Sequence, residues 1–264
     1  MQFAFDLISD LHVETWTDPF DWTAQATSPY CVVAGDVCRD RSLLIKTLTH
    51  LGQCYPGGVF YIDGNDEHRD HLADLADSYR DLAHRISRIP NVVYLQDHVV
   101  IVNGVAILGT NGWWSYDLDP DMDPAQSMDW HMARAECPTS VAGAIAAMAH
   151  TDANYLISSV DKLQTHKEVL AIVVVTHTVP AAWLIQHDLQ LAHSHRFNCT
   201  GNSRLQQALD MDTENKIRAW TFGHYHGQID QQDLGIRWVN NYRGRGNTEW
   251  HQHAYYPQRI EINY

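Results

Sequence analysis

Residues 2–12 read QFAFDLISDLH, an apolar stretch that ends in two residues with metal-binding side chains. Phenylalanine and leucine occupy every second position of its first half, which predicts a β-strand over Gln2–Ile8. Asp10 and His12 follow this strand two residues apart, and in an extended segment two such side chains point to the same side. The stretch therefore predicts a strand whose carboxyl end presents a carboxylate and an imidazole to one ion.

Four further apolar stretches end in the same kind of residue. Buried strands are predicted at Tyr30–Ala34, Gly58–Ile62, Val169–Val175 and Ile217–Phe222. The residues that follow them are Gly35-Asp36, Gly64-Asn65-Asp66-Glu67, Thr176-His177-Thr178 and Gly223-His224-Tyr225-His226. Ligand sites in open α/β sheets form where strands end. The five strand ends therefore predict one shared site.

Each of these fragments also has an ordinary explanation. Asp10 or Asp36 can cap a helix, Asn65 can occupy a tight turn, and His177 can be a hydrogen-bonded core histidine. All five strand ends together favour a metal centre over coincidence. A carboxylate has two oxygens, so Asp36 can bridge two cations at the ~3.5–4 Å spacing that serves phosphoryl transfer.

Strand and helix patterns alternate along the first part of the chain, while its last third is rich in strands. Helices are predicted at Ser42–Cys54, at His68–Arg88, from Thr139 or Ser140 to Leu163, and at Leu205–Leu209. Further strands are predicted at Val92–Leu95, His98–Val102, Val105–Leu108, Ile236–Val239 and Arg259–Ile262. This arrangement predicts an α/β fold with mixed sheets. We expect one domain over residues 1–264, with a lid or loop insertion at about 109–138.

The chain is acidic, with 18 Lys and Arg against 32 Asp and Glu and a net charge of −14. Two divalent ions would still leave about −10, so long nucleic acid is not an expected partner. A small anionic substrate can bind where metal ions supply positive charge. No apolar run reaches the ~20 residues that span a membrane, and the first Lys or Arg is Arg39. We therefore expect no membrane association and a cytoplasmic location.

The order of the motifs DLH, GD, GN, TH and GHYH resembles that of the calcineurin-like metallophosphoesterases, in particular their small bacterial and phage members. The similarity extends from Asp10 to Tyr264. It implies the metallophosphatase fold, a four-layer αββα sandwich of two mixed sheets flanked by helices. It also implies two metal ions, drawn from Mn, Fe, Zn and Ni, of which Mn is favoured. One would be held by Asp10, His12, Asp36 and His226, and the other by Asp36, Asn65, His177 and His224.

Asp66 departs from the pattern of this family. Most members have a histidine directly after Gly-Asn, where it contacts the phosphate and protonates or stabilises the leaving oxygen. His68 and His71 are expected to point elsewhere, because they lie in the first turn of the following helix. We expect Asp66 either to turn away from the phosphate, which is favoured, or to be held protonated as an acid. If Asp66 is turned away from the phosphate, Asp66→Asn should have only a mild effect on activity.

The predicted function is hydrolysis of small nucleotide-like or cyclic phosphodiesters by a hydroxide that bridges the two metals. Two alternatives stay open: a phosphomonoesterase or Ser/Thr-type protein phosphatase, and a metal-binding interaction module with impaired catalysis. The substrate is expected to be a small phosphoester such as a nucleotide. The candidate catalytic residues are Asn65, Asp66 and His224. The candidate substrate contacts are Arg39, Arg41, Arg204 and Arg243, with Trp113 or Trp114 stacking on a base.

Overall fold

Two β-sheets pack against each other at the centre of the fold. The computed structural model describes residues 2–17, 22–135, 139–246 and 255–264. The first sheet has the order β11-β1-β2-β3-β4, from Gln258–Asn263, Gln2–Ile8, Tyr30–Ala34, Gly58–Ile62 and Val92–Tyr94. The second has the order β5-β6-β7-β8-β10-β9, from His98–Val102, Val105–Thr110, Ala171–Thr176, Ile217–Phe222, Ile236–Asn240 and Ile229–Asp233. Both sheets mix parallel and antiparallel pairs, which confirms the predicted mixed sheets.

The inner core lies between the two sheets and follows the two-residue period of the strands. Val32 and Ala34 of β2 face it, whereas Cys31 and Val33 face the opposite side of the same sheet. The second sheet contributes alternate residues of β7, such as Val173, to the same core. Side chains along a strand alternate between faces, so continuous apolar strands cover both faces of each sheet.

Helices cover the outer face of each sheet and complete the α/β sandwich. Their bounds are α1 Trp22–Gln25, α2 Arg41–Cys54, α3 Leu75–Ile86, α4 Pro124–Ala135, α5 Thr139–Gln164 and α6 His195–Asn198. α2 and α3 pack on the first sheet through residues such as Leu48 and Leu82, and α5 packs on the second through Leu156 and Val160. None of the helices in the described part is both long enough and apolar enough to cross a membrane.

Several segments differ from the sequence prediction, among them the unpredicted β9 and two segments near the candidate ligands. The long helix predicted at His68–Arg88 is divided: Asp66–Asp74 forms 3-10 turns with a kink at His71, and α3 then begins with Asp74 as its cap. The segment 109–138, predicted as a loop or lid without periodicity, contains α4. Residues 136–138 of that segment lie outside the described residues. Its role as a lid stays a prediction.

A buried carboxylate on α5 ties this helix to the loop after β6. Asp152 is fully buried and accepts hydrogen bonds from the backbone N–H of Gly112 (2.7 Å) and the side-chain amide of Gln96 (3.1 Å). Burial outweighs these bonds and raises the pKa of Asp152 to about 7. A raised pKa means that the folded state binds the proton more tightly than the unfolded chain. Its stabilising contribution is therefore full below pH ~4 and is lost as the pH rises through 7.

We expect Asp152→Asn to flatten the fall in unfolding free energy between about pH 5 and pH 8. The wild type should lose about 2 kcal/mol more than the variant over this range, although the variant is less stable overall because it lacks one acceptor. Urea unfolding at several pH values measures how the unfolding free energy of the wild type and of the variant changes with pH. Asp161→Asn, an exposed change on the same helix, should keep the wild-type slope. Parallel slopes for Asp152→Asn and the wild type would contradict the prediction.

Candidate metal centre

The carboxyl ends of five strands meet at one edge of the sandwich. The loops after β1, β2, β3, β7 and β8 carry all seven side chains that the sequence suggested as metal ligands: Asp10, His12, Asp36, Asn65, His177, His224 and His226. Backbone hydrogen bonds hold these loops together, for example from Asp10 N to Gly35 O (2.9 Å) and from His12 N to Asp36 O (3.1 Å). The structure therefore brings the strand ends into one site.

Five of these residues have a left-handed backbone conformation. The φ angles are 48° at Asp10, 41° at His12, 50° at Asp36, 64° at His224 and 56° at His226. The sequence prediction that Asp10 and His12 share an extended segment was wrong, because β1 ends at Ile8 and the chain then turns. Non-glycine residues seldom adopt positive φ, and such strain concentrates at functional sites.

A first cluster contains Asp10, His12, Asp36 and His226, whose ligand atoms all lie within 4.8 Å of one another. The Nε2 atoms of His12 and His226 are 3.1 Å apart, and His226 Nε2 is 3.3 Å from Asp10 Oδ1. Asp36 Oδ2 lies 3.8 Å from His12 Nε2. Two imidazoles and two carboxylates facing one point form a donor set that suits a divalent ion.

A second cluster lies on the other side of Asp36. The ligand atoms of Asp36, His177 and His224 are within 4.8 Å of one another. His177 Nε2 is 3.4 Å from Asp36 Oδ1 and 3.2 Å from Asn65 Oδ1. One carboxylate oxygen of Asp36 thus faces each cluster. Asp36 has the geometry of a bridging ligand.

Backbone carbonyls fix the proton positions of two histidines in the second cluster. His177 Nδ1 donates to Ala34 O (2.9 Å), and His224 Nε2 donates to Cys199 O (3.0 Å). In the neutral ring of His177, Nε2 then carries a lone pair directed at the oxygens of Asn65 and Asp36. Lone pairs on neighbouring acceptors repel unless a cation lies between them. The donor set therefore fits metal ions.

The protonation of the buried carboxylates and histidines is also consistent with a cation site. Burial, followed by the carboxylate of Asp66, raises the pKa of Asp36 to about 8. Burial disfavours the charged form of Asp10, but a hydrogen bond with His226 and the charge of that histidine outweigh it, and the net effect lowers the pKa of Asp10. Burial and nearby His177 lower the pKa of His224 to about 3. His224 is therefore neutral, as a metal ligand must be.

Glu67 is a positioning residue that the sequence analysis missed. It is 2% exposed, and its carboxylate accepts backbone N–H groups of Val37 (2.7 Å), Gly64 (2.8 Å) and Asp36 (3.2 Å). These bonds join the loops after β2 and β3, which carry Asp36 and Asn65. The only signal in the sequence is a second carboxylate in the Gly64 turn.

Asp66 lies behind the first cluster and is 1% exposed. Its Oδ2 is 3.3 Å from His12 Nδ1 and forms an ion pair with Arg245. Its Oδ1 accepts from Asn65 Nδ2 (3.2 Å) and Arg69 Nη1 (3.3 Å). Burial opposes its charge, but His12 and Arg245 outweigh burial and lower the pKa of Asp66. This geometry favours the first of the two expectations for Asp66, a carboxylate turned away from the substrate.

His68 and His71 do not supply the imidazole that is absent at position 66. His68 is buried, with Nε2 2.9 Å from Asp63 Oδ2 and Nδ1 2.8 Å from Ser78 Oγ. His71 is exposed at the kink before α3. Neither side chain lines the pocket described next.

A pocket of 450 Å³ opens beside the second cluster, at Asn65 and His224. Trp113 and Trp114 line it but are only 0% and 6% exposed. The Trp114 ring stacks on His224, with centroids 5.4 Å apart, so that face is already occupied. The helix α4 contributes further lining residues, namely Trp130, His131 and Arg134. This helix therefore shapes the space in front of the candidate metal centre.

The four arginines suggested as substrate contacts have different positions. Arg39 lines the pocket but forms an ion pair with Asp70. Arg41, Arg204 and Arg243 do not line it, and the guanidinium of Arg243 stacks over the ring of Trp16 at 4.1 Å. The arginines that join Arg39 in the lining are Arg69, Arg134 and Arg196, which the sequence analysis did not select.

Solved structures show what this fold resembles. Phosphopantetheinyl hydrolase from Mycobacterium tuberculosis matches with a TM-score of 0.73 and 18% identity, over 98% of this chain and 95% of that one. A structure from Staphylococcus aureus, described as a candidate 5′-nucleotidase in complex with α-ketoglutarate, matches with a TM-score of 0.52 and 15% identity. That match covers 92% of this chain and 49% of the other, about half its length. No protein-family model and no curated protein matches the sequence. The likeness shows a metallophosphoesterase-like fold.

Proposed function

We propose that the protein is a dinuclear metal-dependent phosphoester hydrolase. The observation that carries this proposal is Asp36, whose two oxygens face two separate clusters of ligand atoms. Asp10, His12, Asp36 and His226 would hold one ion, and Asp36, Asn65, His177 and His224 the other. Two such ions, when bound, lower the pKa of water and neutralise charge on a phosphoryl group.

The protein's own residues set the position and protonation of the site. The carbonyls of Ala34 and Cys199 accept from one ring nitrogen of His177 and His224 and so leave the other nitrogen of each neutral ring as the metal-facing acceptor. Asn65 lies where the second cluster meets the pocket, next to the place where a phosphoryl group would bind. Of the predicted catalytic residues, Asn65 and His224 line the pocket, whereas Asp66 does not. We therefore assign Asp66 a positioning role.

The groups around the pocket favour esters with good leaving groups, and among these we propose phosphodiesters. Among the described residues, no Asp or Glu lines the pocket. Its imidazole outside the clusters, His131, has its pKa lowered by burial and by Arg69. A neutral imidazole is a poor proton donor, so a leaving oxygen that needs protonation would leave slowly. The mixed nitrogen and oxygen donors accept Mn, Fe, Zn and Ni alike, and of these we propose Mn.

The test compares bis(p-nitrophenyl) phosphate with p-nitrophenyl phosphate in the presence of Mn²⁺. We expect the higher kcat/KM for the diester, as a phosphodiesterase requires, and loss of both activities with a chelator. Faster turnover of the monoester would support the phosphomonoesterase alternative instead. No turnover of either ester, with metal bound, would support the interaction module and overturn the proposal.

A further inference from the structure

The pocket beside the candidate metal centre has an unusual charge for this acidic protein. Four of the chain's 18 Lys and Arg residues line it, namely Arg39, Arg69, Arg134 and Arg196. No carboxylate is found among its described lining residues. The chain as a whole has a net charge of −14, so this concentration of positive charge is local.

Two of these guanidinium groups pair with no carboxylate in the described part of the chain. Arg39 is paired with Asp70, and Arg69 with Asp66, which Arg245 also neutralises. Within the described ranges, Arg134 and Arg196 pair with no carboxylate. Both side chains are exposed. They are available to bind an anion that enters the pocket.

Among the tryptophans that line the pocket, Trp130 is the most exposed. Trp113 is buried and donates through Nε1 to Tyr79, and Trp114 is stacked on His224. Trp130 of α4 is only half-buried. The guanidinium of Arg134 lies over one face of this ring, 5.9 Å from its centroid. A flat ring that stacks on the opposite face of Trp130 would lie close enough to Arg134 for a phosphate that it carries to reach the guanidinium.

We infer that this pocket binds a second anionic group of the substrate, and that the substrate is a nucleotide-like phosphoester carrying a further phosphate. The inference rests on the proposed function, in which the metal centre holds the phosphoryl group that reacts. The volume of 450 Å³ suits a group the size of a nucleoside. Arg134 and Arg196 bind the second phosphate, and Trp130 stacks on the base.

Two matched substrates test the inference. Thymidine 5′-(p-nitrophenyl phosphate) and its 3′-phosphorylated form release the same leaving group and differ only in the second phosphate. With Mn²⁺, we expect kcat/KM to be at least about tenfold higher for the 3′-phosphorylated form. Arg134→Gln and Arg196→Gln should each reduce this preference to about twofold or less. Arg80→Gln, a change on α3 at a side chain that is 75% exposed, should keep the wild-type preference.

The outcomes separate this inference from the proposed function. If both esters are hydrolysed with similar kcat/KM, the second-phosphate site is wrong and the hydrolase remains. If neither ester is hydrolysed, the proposed function fails. Nucleotide binding in the absence of metal then tests the second-phosphate site separately. In chelator, thymidine 3′,5′-bisphosphate should then quench tryptophan fluorescence at lower concentration than thymidine 5′-monophosphate, and Arg134→Gln should remove the difference. Equal affinities for the two nucleotides would overturn the inference.

Discussion

Replacement of Asp36 by Asn is expected to abolish hydrolysis of every ester, with a loss on the order of 10³-fold or more. Asp36 Oδ2 faces the first cluster and Oδ1 faces the second, so an amide removes charge from both proposed metal sites at once. The purified Asp36→Asn variant should therefore lose more bound metal than a variant whose change is confined to one cluster. His226→Asn, which affects only the first, provides this comparison.

The expected result for Asp36→Asn depends on an intact fold, which circular dichroism and thermal unfolding verify. Asp210→Asn serves as the control, because Asp210 is exposed and the change removes the same charge. It should keep full activity and metal content. Near-normal turnover in Asp36→Asn would contradict the dinuclear proposal. If His226→Asn lost as much bound metal as Asp36→Asn, the proposed bridging role of Asp36 would be wrong.

Asp66→Asn is expected to lower kcat/KM by about 10- to 100-fold for good and poor leaving groups alike. The sequence alone suggested a mild effect. In the structure, however, the carboxylate lies 3.3 Å from Nδ1 of His12, a proposed ligand, and also holds Arg245. An amide loses the charge that orients this imidazole, and it removes the ion pair with Arg245. Comparison of p-nitrophenyl with alkyl diesters measures the dependence on the leaving group.

Arg245→Gln separates the two contacts of Asp66. It removes the ion pair but keeps the carboxylate beside His12, so its loss of activity should be smaller than that of Asp66→Asn. Asp66→His should also lose activity, because an imidazole at this buried position lies behind His12 and not in the pocket. A selective loss on alkyl esters in Asp66→Asn would instead make Asp66 a proton donor.

Central strands such as β2, β3 and β7 could be predicted from the sequence because their apolar residues are buried on both faces. The elements that were missed carry too few buried residues to produce a pattern. β9 has a buried residue only at Ile229 and is otherwise exposed. In α4, Trp130, His131 and Arg134 face the pocket instead of a sheet. The polar segment Asp66–Asp74 likewise has no apolar stripe to distinguish 3-10 turns from the start of a helix.

The candidate ligands could be selected because each directly follows a predicted strand. The residues that support them could not, because their partners are distant in sequence. Asp66 and Arg245 are 179 positions apart, and Glu67 acts on backbone N–H groups some 30 positions earlier, as at Val37. Nothing in a local pattern identifies such pairs. The arginines of the pocket were missed for a similar reason, since Arg134 and Arg196 lie on different helices.

The distance along the chain between ligands has a consequence for the synthesis of the protein. His12 and His226 face each other in the first cluster but are 214 positions apart. At typical rates of translation, about 10 to 40 s separate their appearance. A nascent chain that has not yet reached β8 lacks one proposed ligand of each ion, His226 and His224. Both proposed ligand sets are therefore complete only after His226 has been synthesised, and products that terminate before β8 lack one proposed ligand of each set.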